Sequence, residues 1–280
     1  MDSFQNLIPP RGVKNEAEFQ SVLLAARSAA SKVEGFMTSK ESYILTLLAC
    51  CPNSGGTVLE IGSFKGLSTV LLAQALRATS DPKMHACDPF DVVPIADQRL
   101  RTDESVYRDF LKNITAAGVN DAVTAHRRFS SDLAREWTAP IRFLWIDGDH
   151  SFPQTEADYE GFSRFVPPGG YIAFHDVLHH HPGPSQVFAN RVLLDERWGA
   201  CGLCGSIGWA QRARSLEDPA RHRALKIRLY KRVSAFACCA ALGRPISGLN
   251  DLRYRLLRTL IPHGMPSFDS FVSLTAYHTA

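Results

Sequence analysis

The sequence predicts a doubly wound α/β fold: a mostly parallel, seven-stranded sheet with helices on both faces, a helical cap before it and a helical extension after it. Three observations carry this. Short apolar runs recur between Thr57 and Phe174 and alternate with longer helix-forming stretches. These runs are apolar throughout rather than at every second position, as expected of strands covered on both faces. The polar residues of chemical interest gather just past the carboxyl ends of the runs, where open α/β sheets bind ligands. With right-handed crossovers, the architecture is Rossmann-like.

The elements follow in order. Glu16 to Lys32 is rich in Ala, Leu and Glu, so it reads as a helix broken by Gly35. Thr38 or Ser39 caps a second helix, with Glu41 close behind. Asn53-Ser54-Gly55-Gly56 turns the chain into the first strand, Thr57 to Ile61, and an apolar helix runs from Leu67 to Arg77. Strands are expected at Lys83 to Cys87, Ala122 to His126, Ile141 to Ile146 and Tyr171 to Phe174. Helices are expected at Glu104 to Ala117, Phe152 to Phe165 and Gln186 to Glu196. Ala200 to Ala210, with its glycines, reads as a closing hairpin, and Arg221 to Leu242 and Leu249 to Ile261 as helices. The divisions are residues 1–55 as cap, 56–212 as the main domain and 213–280 as a basic helical extension.

With 280 residues, 45% of them hydrophobic, the chain can bury a large core. No apolar run has transmembrane length and the start lacks a secretory pattern, so a cytoplasmic protein is expected. Seven scattered Cys argue for reduced thiols rather than a disulfide framework. Charge is uneven. Residues 211–280 carry 12 Lys+Arg against 4 Asp+Glu, and residues 1–210 carry 19 against 24. The plain reading is a solvated helical tail. The sharper one is contact with an anionic surface, such as a membrane or a lipid-linked substrate; a homo-oligomer interface is also open. Nucleic acid is not expected as a partner.

Four segments carry chemistry. Glu60-Ile61-Gly62-Ser63-Phe64-Lys65-Gly66 joins the first strand to its helix. Its glycines allow close backbone approach to a ligand, but the middle glycine of the dinucleotide fingerprint is missing. Asp88 ends the second strand 28 positions after Glu60, where an acid can accept ribose hydroxyls. Asp147-Gly148-Asp149-His150 lies past the fourth strand, and His175-Asp176-Val177 past the fifth. Neighbouring parallel strands would bring Asp147, His175 and Asp176 to one sheet edge. Such a set suits Mg²⁺ or Mn²⁺, with the His shifting it towards Mn²⁺, Fe²⁺ or Zn²⁺. His150 is the candidate base.

Glu60-x-Gly62-x-x-x-Gly66 followed by Asp88 resembles the cofactor site of the class I S-adenosylmethionine-dependent methyltransferases, over roughly residues 35–212. The resemblance implies S-adenosylmethionine as cofactor. It places Glu60, Gly62, Ser63 and Gly66 around the methionine part, Asp88 on the ribose, and Ser130 or Ser131 near adenine; Ser68 and Asp147 join the cofactor contacts. The Asp-Gly-Asp-His and His-Asp-Val segments resemble those of metal-dependent O-methyltransferases of the catechol and macrocin-like sugar types. That implies a divalent cation on Asp147, His175 and Asp176, His150 as base, and a small hydroxylated acceptor. His175 departs from the family, which usually has a carboxylate there. The rivals are a nicotinamide oxidoreductase and a non-catalytic cofactor-binding protein.

Weaker candidates have bland readings. His179-His180-His181 could bind metal but has no matching ligand motif around it; it is expected to be a polar loop, with Pro182-Gly183-Pro184 turning the chain, and its place after the fifth strand could let it touch substrate. Cys201-x-x-Cys204 lacks a second pair and reads as core thiols. Phe36 and Met37 either pack or cover the site.

Overall fold

The computed structural model of the chain describes residues 7–90, 92, 104–179, 181–215, 217–241 and 249–276. Helix α1 (Glu16–Ala30) starts at Asn15, whose side chain accepts from the Glu18 amide. Helix α2 (Ser39–Cys50) starts at Thr38. There the threonine hydroxyl accepts from the Glu41 amide and the Glu41 carboxylate accepts from the Thr38 amide, a complete capping box. Then come β1 (Thr57–Ile61), α3 (Leu67–Leu76), β2 (Met84–Asp88), α4 (Glu104–Ala116), β3 (Val123–Arg127), α5 (Ser130–Glu136), β4 (Ile141–Ile146) and α6 (Phe152–Phe162). A 3₁₀ turn leads to β5 (Tyr171–Phe174). Helix α7 (Pro182–Val187) runs into a π-helical stretch, Phe188–Leu193, before the hairpin β6 (Trp198–Cys204) and β7 (Ile207–Arg212). The chain ends with α8 (Asp218–Ala241), α9 (Leu249–Leu260) and α10 (Phe268–Thr275).

The seven strands form one sheet in the order β3-β2-β1-β4-β5-β7-β6. All pairs among β1 to β5 are parallel, and β7 is antiparallel to both β5 and β6. The order reverses between β1 and β4, which makes their carboxyl ends the switch point. Alternate residues of the central strands feed separate cores. Val58, Phe143 and Trp145 pack with α1 to α3, whereas Leu59, Ile61, Leu144 and Ile146 pack with Tyr159, Phe162 and Phe188. Both faces are therefore apolar, and the continuous hydrophobic runs follow from that.

Several expectations change. Ser130 and Ser131, expected in the loop after the third strand, begin a helix, α5. The helix expected from Gln186 starts at Pro182, because Pro fits the first turn, where its missing N–H has no partner to lose. The basic extension is not simply solvated. Helix α8 buries Leu229, Val233 and Phe236, and its Lys226 ammonium donates to the carbonyls of Asp195 and Trp198 at 2.6 and 2.7 Å. Helix α10 returns to α1, stacking Phe268 on Phe19 at 5.8 Å. Phe36 is exposed, while Met37 packs against the core. Cys201 and Cys204 are buried, as expected of core thiols.

Candidate active site

The ends of β1, β4 and β5 lie level, because the ladder continues one residue beyond each strand. The Gly62 amide donates to the Cys87 carbonyl at 2.9 Å, Asp147 to Ile61 at 2.8 Å and His175 to Ile146 at 3.0 Å. This sets Gly62, Asp147 and His175 side by side. Gly62 has φ +84°, and a Cβ there would overlap the Asp147 carbonyl, so only glycine fits. Among the described residues, the non-glycine residues with positive φ are Phe64, Phe90 and Asp176. All three lie in loops that leave carboxyl ends of strands, and such strain gathers at functional sites.

Asp88 organises the glycine loop. One of its oxygens accepts from the amides of Ser63 and Phe64 at 2.8 and 2.9 Å, and the other accepts from Phe90. A carboxylate has about four acceptor positions, so one remains for a ligand hydroxyl. Burial pushes this carboxyl up, and the three amides oppose that. Glu60 is fully buried, and its carboxylate accepts from the hydroxyls of Ser63, Ser68 and Thr69. Burial raises it to about 7 despite those donors. It therefore fixes the loop and the first turn of α3, and Ser68 is engaged in that task. Gly66 opens α3 with φ +90°. The Ser130 hydroxyl donates to the buried Asp158, whose carboxyl burial raises to about 7.

At the β4–β5 edge the expected trio comes together. His175 Nδ1 is 2.9 Å from Asp147 Oδ1 and 3.7 Å from Asp176 Oδ1, and its Nε2 is 3.8 Å from Glu41 Oε2. Burial alone would lower the His175 pKa, but Asp147, Asp176 and Glu41 outweigh it and hold the ring well above its usual range. Burial would likewise raise Asp147, yet His175 and His150 bring it below the ordinary carboxylate range. His150 Nε2 lies 3.5 Å from Asp147 and 4.0 Å from Asp176, and it has no hydrogen-bond partner.

One residue escaped sequence reasoning, and another stood in a segment with two readings. Glu41 reaches the site from α2. Its Oε1 accepts from the Ser206 amide and hydroxyl at 3.1 and 2.6 Å, while Oε2 faces His175. Burial, which would raise its pKa, loses to His175 and Ser206, so the carboxylate is strongly depressed. The second is His181. Its ring stacks on His150 with centroids 4.9 Å apart, so His181 lies at the site, the second of the two readings of its segment. His180 lies outside the described residues. Two overlapping groups each bring three ligand atoms within 4.8 Å: Asp147, His150 and His175, and His150, Asp176 and His181. Carboxylates with imidazoles suit a divalent first-row cation, so these residues fit one.

Residues 59–177 match a family model described as a methyltransferase domain. An uncharacterised protein of Acanthamoeba polyphaga mimivirus is 30% identical over 150 residues, 51% of this chain; the alignment spans only 62% of that relative. An O-methyltransferase from Bacillus cereus, crystallised in complex with SAH, superposes with TM-score 0.50 at 19% identity, covering 71% of this chain and 93% of that one. A Corynebacterium glutamicum protein superposes with TM-score 0.52 at 13% identity, covering 70% and 91%. No helix among the described residues is long and apolar enough to cross a membrane. The match thus shows a methyltransferase domain over residues 59–177, and the superpositions show that the sheet and its helices share the fold of those structures.

Proposed function

We propose that this chain transfers the methyl group of S-adenosylmethionine to a hydroxyl oxygen of a small polyhydroxylated acceptor, such as a sugar or natural product, with help from a divalent cation. One observation carries the reading. His150, whose Nε2 has no hydrogen-bond partner, stands with that atom 3.5 Å from Asp147 at the switch point. Gly62, Gly66 and the open acceptor position on Asp88 supply the cofactor's side of the site. The O-methyltransferase description of the Bacillus cereus structure is in keeping with this chemistry.

In this reading, the acceptor hydroxyl gives its proton to His150 Nε2 as its oxygen attacks the methyl carbon. The O–CH₃ bond forms, the S–CH₃ bond breaks, and the sulfonium becomes a neutral thioether. Asp147 stabilises the imidazolium that results. Much of the acceleration comes from aligning oxygen, carbon and sulfur. A cation held by Asp147 and Asp176, with His175 or His181 as nitrogen donor, would lower the pKa of the hydroxyl. Glu41 and Ser206 keep His175 and Asp176 in place: the Ser206 hydroxyl lies 2.6 Å from Glu41 and 3.2 Å from Asp176.

The test is calorimetric titration of the purified chain with S-adenosylmethionine, with Mg²⁺ or Mn²⁺ and after EDTA, followed by methyl-transfer assays on a panel of hydroxylated acceptors. Binding that Asp88→Ala abolishes supports the cofactor site. His150→Ala is expected to lower turnover by about 10²–10⁴-fold while leaving cofactor affinity unchanged. Turnover unaffected by that change would remove His150 as base. Absence of cofactor binding under every condition would end the methyltransferase reading.

A further inference from the structure

We infer that the outer face of α9, backed by the cations of α8, docks on an anionic phospholipid surface. Helix α9 has two apolar faces. Tyr254, Leu257 and Ile261 turn inward: Ile261 is buried, Leu257 packs on the core, and the Tyr254 ring lies 4.9 Å from Phe236 of α8. That face already anchors the helix. Leu252, Leu256 and Leu260 form the other row, 64%, 59% and 58% exposed. Single exposed leucines are ordinary. Three at i, i+4 and i+8 are a stripe along one side of a helix, and folding of the described residues makes no use of it.

Charge selects the occupant. Between residues 219 and 268 the chain holds ten Lys and Arg against one acid, Asp251; Lys226 is buried and Arg223 pairs with Glu196, and the remaining cations carry the charge. Arg228, Lys231, Arg232 and Arg255 are exposed on the two helices. A leucine row within a basic, nearly acid-free region matches a bilayer interface, where apolar side chains enter below the headgroups and cations meet anionic lipid. The docked helix would also be tied to the site. The Tyr254 hydroxyl donates to the Leu178 carbonyl at 2.8 Å, two residues beyond Asp176. This inference does not rest on methyl transfer.

The test is co-sedimentation of the full chain with vesicles of phosphatidylcholine alone and of phosphatidylcholine mixed with phosphatidylserine. The chain is expected to pellet with the anionic vesicles, to stay in solution with the neutral ones, and to be released by salt. A combined Leu252→Ser, Leu256→Ser and Leu260→Ser variant, checked for an unchanged thermal melt, is expected to lose more than about tenfold in partitioning. Lys231→Glu with Arg232→Glu is expected to lose at least roughly tenfold. No pelleting with anionic vesicles overturns the inference, as does a serine variant that pellets like the wild type. A chain that ignores vesicles but forms dimers that the serine variant dissolves would make the stripe a contact between copies instead.

Discussion

Replacing Glu41 with Gln asks how far one buried charge holds the β4–β5 edge together. The carboxylate accepts from the Thr38 amide at 2.7 Å and from the Ser206 amide and hydroxyl at 3.1 and 2.6 Å, and it lies 3.8 Å from His175 Nε2. Glutamine keeps the shape and much of the hydrogen bonding, so the change is mainly loss of charge. Unit charges at such a distance attract by about 4 kcal/mol at an effective dielectric constant near 20. Desolvation of both partners offsets part of this, which leaves an expected loss of about 2–3 kcal/mol at neutral pH. Urea denaturation across a pH series is the assay. His175 is held above its usual value, so its contribution is complete below the ordinary histidine range and is lost as pH rises through the raised value. Glu41 and Asp147 are held below theirs, so their contributions are complete above the ordinary carboxylate range and vanish as pH falls through the depressed values. The variant should therefore lose part of the acid-side dependence, and its alkaline decline should begin at lower pH. A variant within about 0.5 kcal/mol of wild type, with a superimposable pH profile, would refute the reasoning.

Other outcomes follow from the same structure. Gly62→Ala combines a positive φ with overlap on the Asp147 carbonyl; it should cost about 2–4 kcal/mol in a denaturation experiment. Glu60 is raised to about 7, so its contribution is complete below the ordinary carboxylate range and lost as pH rises through that value. Glu60→Gln should accordingly flatten the stability profile between those limits, measured by thermal melts. Burial pushes Cys201 and Cys204 up to about 12, whereas Cys238 is exposed. Iodoacetamide followed by mass mapping should label Cys238 well before the other two.

The centre of the sheet was legible because β1, β4 and β5 are apolar on both faces and end in turn signals. Thr57–Ile61, Ile141–Ile146 and Tyr171–Phe174 stand where their composition put them. The strand-end acids were legible for the same reason: Asp88, Asp147 and Asp176 follow directly from where the runs stop. What stayed hidden depends on distant partners. Glu41 reads as a helix-capping residue, which it is, and nothing local shows that its other face meets Ser206 and His175. His181 lies in a segment whose prolines suggested a turn, yet they begin a helix and carry the imidazole onto His150. Helix α10 is short, and its burial arises from distant partners: Phe268 stacks on Phe19, and Phe271 packs on Tyr171 and Trp209.

The bond between Ser206 and Glu41 joins residues 165 positions apart. Contacts of such span form only after much chain entropy has been lost, and they slow folding. The segment bearing Ser206 is made long after α2, so during synthesis Glu41 and His175 wait without the group that fixes them. The β4–β5 edge is thus among the last features to mature, whereas Asp88 and the glycine loop, 24 to 25 positions apart, can pair as soon as β2 is made.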